Sequence, residues 1–283
     1  MSRSFLVALL LALPLPARAA VETYTPETVA GVRSVGMGDA FRAVGTSNDA
    51  IVDNPAAMSL APRYELDGFF GYAPGAPATY WNGSIVDSNT SPLAVGIDYT
   101  HLASGTEASR FSGNDLRLAM SFPLAGMIYL GFSGHWLDFG MAQPINAITG
   151  DAALIIKPLD ILTITGIGYN LIGVENNVLA PREVALAAAV GTDASYHVAG
   201  DAVVNLATPQ PVFDWHLGGE YFLAGLVALR AGYLYDGLIN GNFASAGAGV
   251  VVQGFAFDVA YRQQIVQWND RMILVGIKLF LPT

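Results

Sequence analysis

From about residue 64 onward, large apolar side chains recur at every second position. In Leu93-Ala94-Val95-Gly96-Ile97-Asp98-Tyr99-Thr100 the odd positions are large and apolar, and the even ones are small or polar. Leu116, Leu118, Met120 and Phe122 alternate in the same way with Asp115, Arg117, Ala119 and Ser121. Phe255, Phe257, Val259 and Tyr261 alternate with Ala256, Asp258, Ala260 and Arg262. Successive side chains of a strand point to opposite faces, so each stretch is a two-faced strand. Fourteen are predicted, beginning near Tyr64, Thr79, Leu93, Asn114, Met127, Ile148, Ile161, Glu183, Ser195, Phe213, Leu226, Phe243, Phe255 and Met272.

The charges identify the faces. Asp98, Arg117, Lys157, Asp201, Glu220, Arg230, Asp258, Arg262 and Lys278 all fall on the face opposite the bulky apolar set, as do His135, His197 and His216. A charge on the lipid side of a barrel costs about 2 to 4 kcal/mol at the bilayer midplane, so their consistent placement points to an apolar face in lipid and a polar lumen. The competing reading is a soluble sandwich with its polar face outward. Too many of the small-side residues are Ala and Gly, and too few are charged, to make a soluble surface. The predicted fold is therefore all-β: a transmembrane antiparallel β-barrel of about 14 strands. Connections alternate between short turns such as Pro123-Leu124-Ala125-Gly126 and longer loops such as 172–182. Outer-membrane barrels show this asymmetry, with the turns in the periplasm. An even strand count then places both termini on the periplasmic side.

Composition and the first residues complete this picture. The chain is 53% hydrophobic and only 13% charged, against about 25% charged in soluble domains. No segment after the leader has the roughly 20 apolar residues of a spanning helix, and a closed barrel reconciles these facts. Residues 1–19 read as a secretory signal, with Arg3 ahead of an apolar run and Ala17-Arg18-Ala19 as the cleavage pattern. Residues 20–62 precede the strands, and residues 63–283 form the barrel. The last strand ends in apolar alternation with Phe280, a signal suited to the barrel-assembly machinery of the outer membrane. With 13 basic residues against 23 acidic, the chain has no basic footprint for nucleic acid. It has no Cys, so neither disulfides nor thiolate metal sites arise.

Residues 20–62 do not alternate. Asn54 is pushed out of the α region by Pro55, its side chain can cap the following turn, and Pro55 suits the first position of a helix. A short helix from Pro55 to about Leu60 is predicted, leading into the first strand. Gly36-Met37-Gly38-Asp39-Ala40-Phe41, then Asp49-Ala50-Ile51 and Asn54-Pro55-Ala56, resemble the N-terminal pattern of FadL-like outer-membrane proteins, which include the PorV/PorQ group. Asp39 departs from the Gly of that pattern, and the loops are shorter than in long-chain fatty-acid transporters. The resemblance implies a hatch (plug) inside the barrel, with Asp53, Asn54, Pro55 and Ala56 at its turn and Gly36 and Gly38 as its flexible points. It implies a channel for small hydrophobic compounds, or alternatively a PorV-like scaffold that docks secreted proteins.

Other chemistry finds little support. Gly36-x-Gly38 has neither a third glycine nor a preceding strand, so it is no dinucleotide site. The four histidines are scattered without metal-ligand spacing. Ser133 two residues from His135 shares its face but is not a triad. No catalytic residue, metal or cofactor is expected; the expected partners are outer-membrane lipid and a hydrophobic ligand. Luminal charges of both signs are expected to pair and hold the hatch, so that truncating Arg117 or Arg262 would loosen it.

Overall fold

The computed structural model describes residues 25, 28–75, 77–105, 110–140, 144–173 and 179–281. The predicted leader lies outside the described residues. Fourteen antiparallel strands close on themselves, each paired with its sequence neighbours, and β1 closes on β14. They are β1 (Tyr64–Ala73), β2 (Ala78–Asp87), β3 (Ala94–Ser104), β4 (Phe111–Ala125), β5 (Ile128–Gly140), β6 (Ile145–Leu159), β7 (Leu162–Tyr169), β8 (Glu183–Thr192), β9 (Tyr196–Asn205), β10 (Val212–Leu223), β11 (Val227–Asp236), β12 (Gly241–Val252), β13 (Phe255–Gln264) and β14 (Arg271–Phe280). Closure satisfies every strand edge, the condition that lets a sheet exist in hydrocarbon.

Burial alternates along the strands as the pattern requires. The outward row includes Trp81, Leu186, Val198, Leu217 and Trp215, all at least half exposed. Tyr and Trp tips at the long-loop rim find polar partners: Tyr99 donates to Asn114, Trp136 to Asn146 and Tyr261 to Gln263. Such rings suit an interface that is apolar at one end and wet at the other. Several strands run further toward the long-loop end than the apolar alternation predicts. β4 starts at Phe111 instead of near Asn114, and β6 at Ile145 instead of near Ile148. Ser112, Gly113 and Asn146 break the apolar pattern, yet the register pairing continues through them.

The segment before β1 is folded inside the barrel. It comprises α1 (Val32–Gly36), a 3-10 turn (Ser47–Asp49), α2 (Ala50–Asp53) and a 3-10 helix (Pro55–Leu60). The predicted helix at Pro55 forms with 3-10 geometry, and Asn54 Oδ1 accepts from Ala56 N at 3.2 Å as its cap. Three buried apolar clusters seat the segment. Val29, Val32 and Val35 pack with Tyr80, Leu102, Leu137 and Leu274. Ile51, Ala56 and Met58 pack with Val86, Ile155 and Val203. Met37, Phe41 and Val44 pack with the alanines of β8 and β9.

The path of this segment differs from expectation. Thr25 accepts a 2.9 Å hydrogen bond on its carbonyl from Tyr80, which lies beside the β1–β2 connection at the long-loop end. The described chain thus starts in the long-loop half of the lumen and crosses to the short-turn end before entering β1. Strand parity fixes which end β1 starts from, but not the route of the chain before it.

Candidate functional site

The lumen is occupied by the N-terminal segment, so the site is the seam between segment and wall. Glycines make that seam possible. A Cβ on Gly131 of β5 would lie 2.1 Å from Ala56 N and 2.3 Å from Pro55 C, so the Asn54-Pro55-Ala56 turn rests directly on the wall backbone. Gly218 and Gly232 clear the same space for the backbone of Met37. Gly38 has φ 65, and a Cβ there would meet Tyr233 N at 2.5 Å; one on Gly36 would meet the Cα of Gly247 at 3.3 Å. Gly36 and Gly38 are therefore points of close approach to the wall, and Gly38 also takes a backbone conformation that favours glycine. Asp39, where the family pattern has Gly, has φ 59. This is the left-handed region that Gly enters freely and Asp tolerates.

The turn is tied to both the segment and the wall. Asn54 Nδ2 donates to the carbonyl of Arg42 at 2.6 Å and to Thr165 at 3.1 Å. Ser121 donates to the Ala56 carbonyl at 2.8 Å, and Tyr169 donates to the Asp53 carbonyl. Asp53 is buried, and its Oδ2 has no hydrogen-bond partner. Burial pushes its carboxyl up to about 7, against the opposing pull of Arg42.

The charged residues form a mesh across the lumen. Lys278 Nζ lies 2.6 Å from Asp49 and 2.9 Å from Asp67. Arg33 joins Asp49 at 3.1 Å to Glu220 at 2.7 Å. Arg230 then links Glu220 at 2.5 Å to Asp258 at 2.6 Å. Burial alone would raise the Asp49 carboxyl, but Lys278 and Arg33 outweigh it and hold it below the usual range. A second group centres on Arg42, which lies 3.2 Å from Asp201 and donates to Tyr169 at 3.1 Å. Arg262 meets Asp39 at 2.8 Å. Buried ions need such partners, because one left alone costs several kcal/mol.

The described partners of Arg117 are Asp115 at 2.9 Å and Asp151 at 3.3 Å, both on the wall, with His135 and Ser133 completing the cluster. Arg117 thus braces strands β4 to β6 through Asp115 and Asp151, and Arg262 reaches the segment through Asp39. Lys157 is only partly buried and lines a cavity at the short-turn mouth with Asp160 and His197. Lys157 falls within a register shift between Ile156 and Leu159. Asp98 is buried and accepts from Asn82 at 2.7 Å.

The sequence reading missed Arg33, Arg42, Asp39 and Asp49 on the segment, and Glu65, Asp67 and Asp151 on the wall. Arg33 and Arg42 are the only bases in residues 20–62. Once that segment is placed inside a barrel, each must have an acidic partner, and that was the available signal. Above the segment, at the long-loop end, lies a cavity of about 150 Å³ that touches Thr25, Asp53, Asp214, His216 and Leu234. Below it, at the short-turn end, a second of about 140 Å³ touches Arg33, Glu65, Arg230 and Phe280. The segment thus separates two cavities.

No protein-family model matches the sequence, and no curated protein matches it. Solved structures do match the fold. The Ralstonia pickettii toluene transporter TbuX superposes with a TM-score of 0.69 at 10% identity, over 89% of this chain and 98% of that one. The CymD monoaromatic hydrocarbon channel gives 0.71 at 12% identity, over 92% and 100%. A Pseudomonas aeruginosa FadL homologue gives 0.63 at 12%, over 93% and 98%. At these identities the likeness establishes the fold: a 14-strand barrel of the kind these outer-membrane proteins adopt.

Proposed function

We infer that the protein is a passage for small hydrophobic compounds across a bacterial outer membrane, with the N-terminal segment as its hatch. The observation that carries this reading is an apolar layer inside the barrel toward the long-loop end, where Leu102, Leu137 and Phe139 pack with Leu179, Phe111 and Ile145. The interior of an outer-membrane barrel that conducts water is polar, so an apolar lining there has a different use. It favours transient contact with an apolar solute. The likeness to hydrocarbon channels supports the same direction. Neither the apolar layer nor these structures favours the docking-component alternative.

In this mechanism the solute enters at the long-loop end, leaves water on the apolar layer and stops above the segment. Passage then requires the segment to move. Its contacts make it a discrete element: the ion pairs of Arg33, Asp49 and Asp39 with the wall break or form together when it shifts. The test is uptake of radiolabelled toluene by cells whose outer membrane is the permeability barrier, with and without the protein. Uptake faster than in cells lacking it, and slowed by Leu137→Asp, is expected. Equal rates with and without the protein would end this reading.

A further inference from the structure

The long-loop cavity is not the neutral greasy pocket that a pure hydrocarbon would select. On one side it offers Val203, Val212, Leu234 and Leu238. On the other it collects carboxylates. Its two arginines are already engaged, Arg42 by Asp201 and Arg262 by Asp39. Asp53, Asp214 and Asp236 line the same cavity, and among the described residues none of the three takes part in an ion pair. Asp214 and Asp236 accept only backbone N–H groups: Asp214 from Gly237 at 2.7 Å, and Asp236 from Leu238 at 2.8 Å and Ile239 at 3.2 Å. They sit on adjacent strands, one step beyond the register pair Trp215 and Tyr235. Like charges facing each other across a ladder are destabilising. Asp53 is 94% buried (6% exposed), and its Oδ2 is unpartnered. A buried carboxylate oxygen without a donor costs free energy, and Asp53 is one of the residues that line the cavity.

Deepening the passage reading, on which this rests, we propose that the long-loop cavity binds a small organic cation: an ammonium on a one-ring or short-chain apolar body. The ammonium has donors to give and no acceptor, which matches Asp53, Asp214 and Asp236. The apolar body matches the valine and leucine side. Size sets the upper limit, since a cavity of about 150 Å³ is the scale that holds one benzene ring.

The experiment is titration of the detergent-purified, folded full-length protein with benzylamine, benzyl alcohol and benzoate at pH 8 and low salt. Benzylamine is expected to bind at least tenfold more tightly than the neutral alcohol, and benzoate not at all. The preference is expected to collapse in Asp53→Asn and, separately, in the double variant Asp214→Asn/Asp236→Asn, which leaves the segment untouched should Asp53→Asn unseat it. Equal affinities for amine and alcohol, or a preference that survives in the double variant, overturn the proposal. Uptake separates its failure from that of the passage reading. Toluene uptake without amine preference defeats only the cation site, whereas amine binding without any protein-dependent uptake defeats only the passage.

Discussion

The contact between Gly131 and the Asn54-Pro55-Ala56 turn gives a direct handle on the luminal segment. In Gly131→Ala the new Cβ would stand 2.1 Å from Ala56 N, whereas ordinary contact begins near 3.4 Å. The turn must retreat by about 1.3 Å, since the obstacle is backbone and cannot rotate away. The 2.8 Å bond from Ser121 to Ala56 then stretches past about 3.6 Å, where it no longer counts as a hydrogen bond. With each lost bond worth about 1 kcal/mol and overpacking costing about 1 to 3 kcal/mol, the seated state loses roughly 2 to 4 kcal/mol. At a factor of ten per 1.4 kcal/mol, the unseated population rises roughly 30- to 700-fold. Amide hydrogen exchange across residues 50–60, read by mass spectrometry on the folded protein in detergent, reports that population. Gly83→Ala is the control, because its Cβ would meet nothing within 4 Å. If exchange in Gly131→Ala stays within twofold of wild type, the turn does not bear on the wall and the argument fails.

Arg262→Ala, which strips Asp39 of its ion-pair partner, is expected to expose the segment to limited proteolysis, and cleavage unchanged from wild type would contradict this. Arg117→Ala, which leaves Asp115 and Asp151 short of a counter-ion, should lower barrel stability by about 3 to 5 kcal/mol, read as a lower urea midpoint. Leu186 is 66% exposed on the outward face of β8, so Leu186→Arg should lose about 2 to 4 kcal/mol if that face meets mid-bilayer lipid, seen as a lower urea midpoint in vesicles. The Asp53 carboxyl, raised from 3.8 to about 7 by burial among Ser34, Asp39, Arg42 and Asp201, favours the folded state most at low pH. Its contribution is full below 3.8 and declines as pH climbs through about 7. Thermal midpoints should therefore fall between pH 5 and pH 8, and a slope unchanged in Asp53→Asn would refute it.

The sequence by itself determined the barrel. Alternation with period two, the consistent face of Asp98, Arg230, Asp258 and Lys278, and the alternation of short and long connections fix strand number, lipid face and pairing order. They do so because each depends only on neighbours along the chain and on the cost of a charge in lipid. The Asn54 cap and the 3-10 helix at Pro55 were legible for the same reason: they are local. The tertiary structure alone decided where the luminal segment runs and what holds it. Arg33 meets Glu220 across 187 positions, and Lys278 meets Asp49 across 229. No periodicity encodes such partners, since any inward acid could serve any inward base. Glycines in the wall carry the same lesson. Gly131, Gly218 and Gly232 lie within strands, and only the packed lumen shows that their missing side chains are the volume the segment occupies.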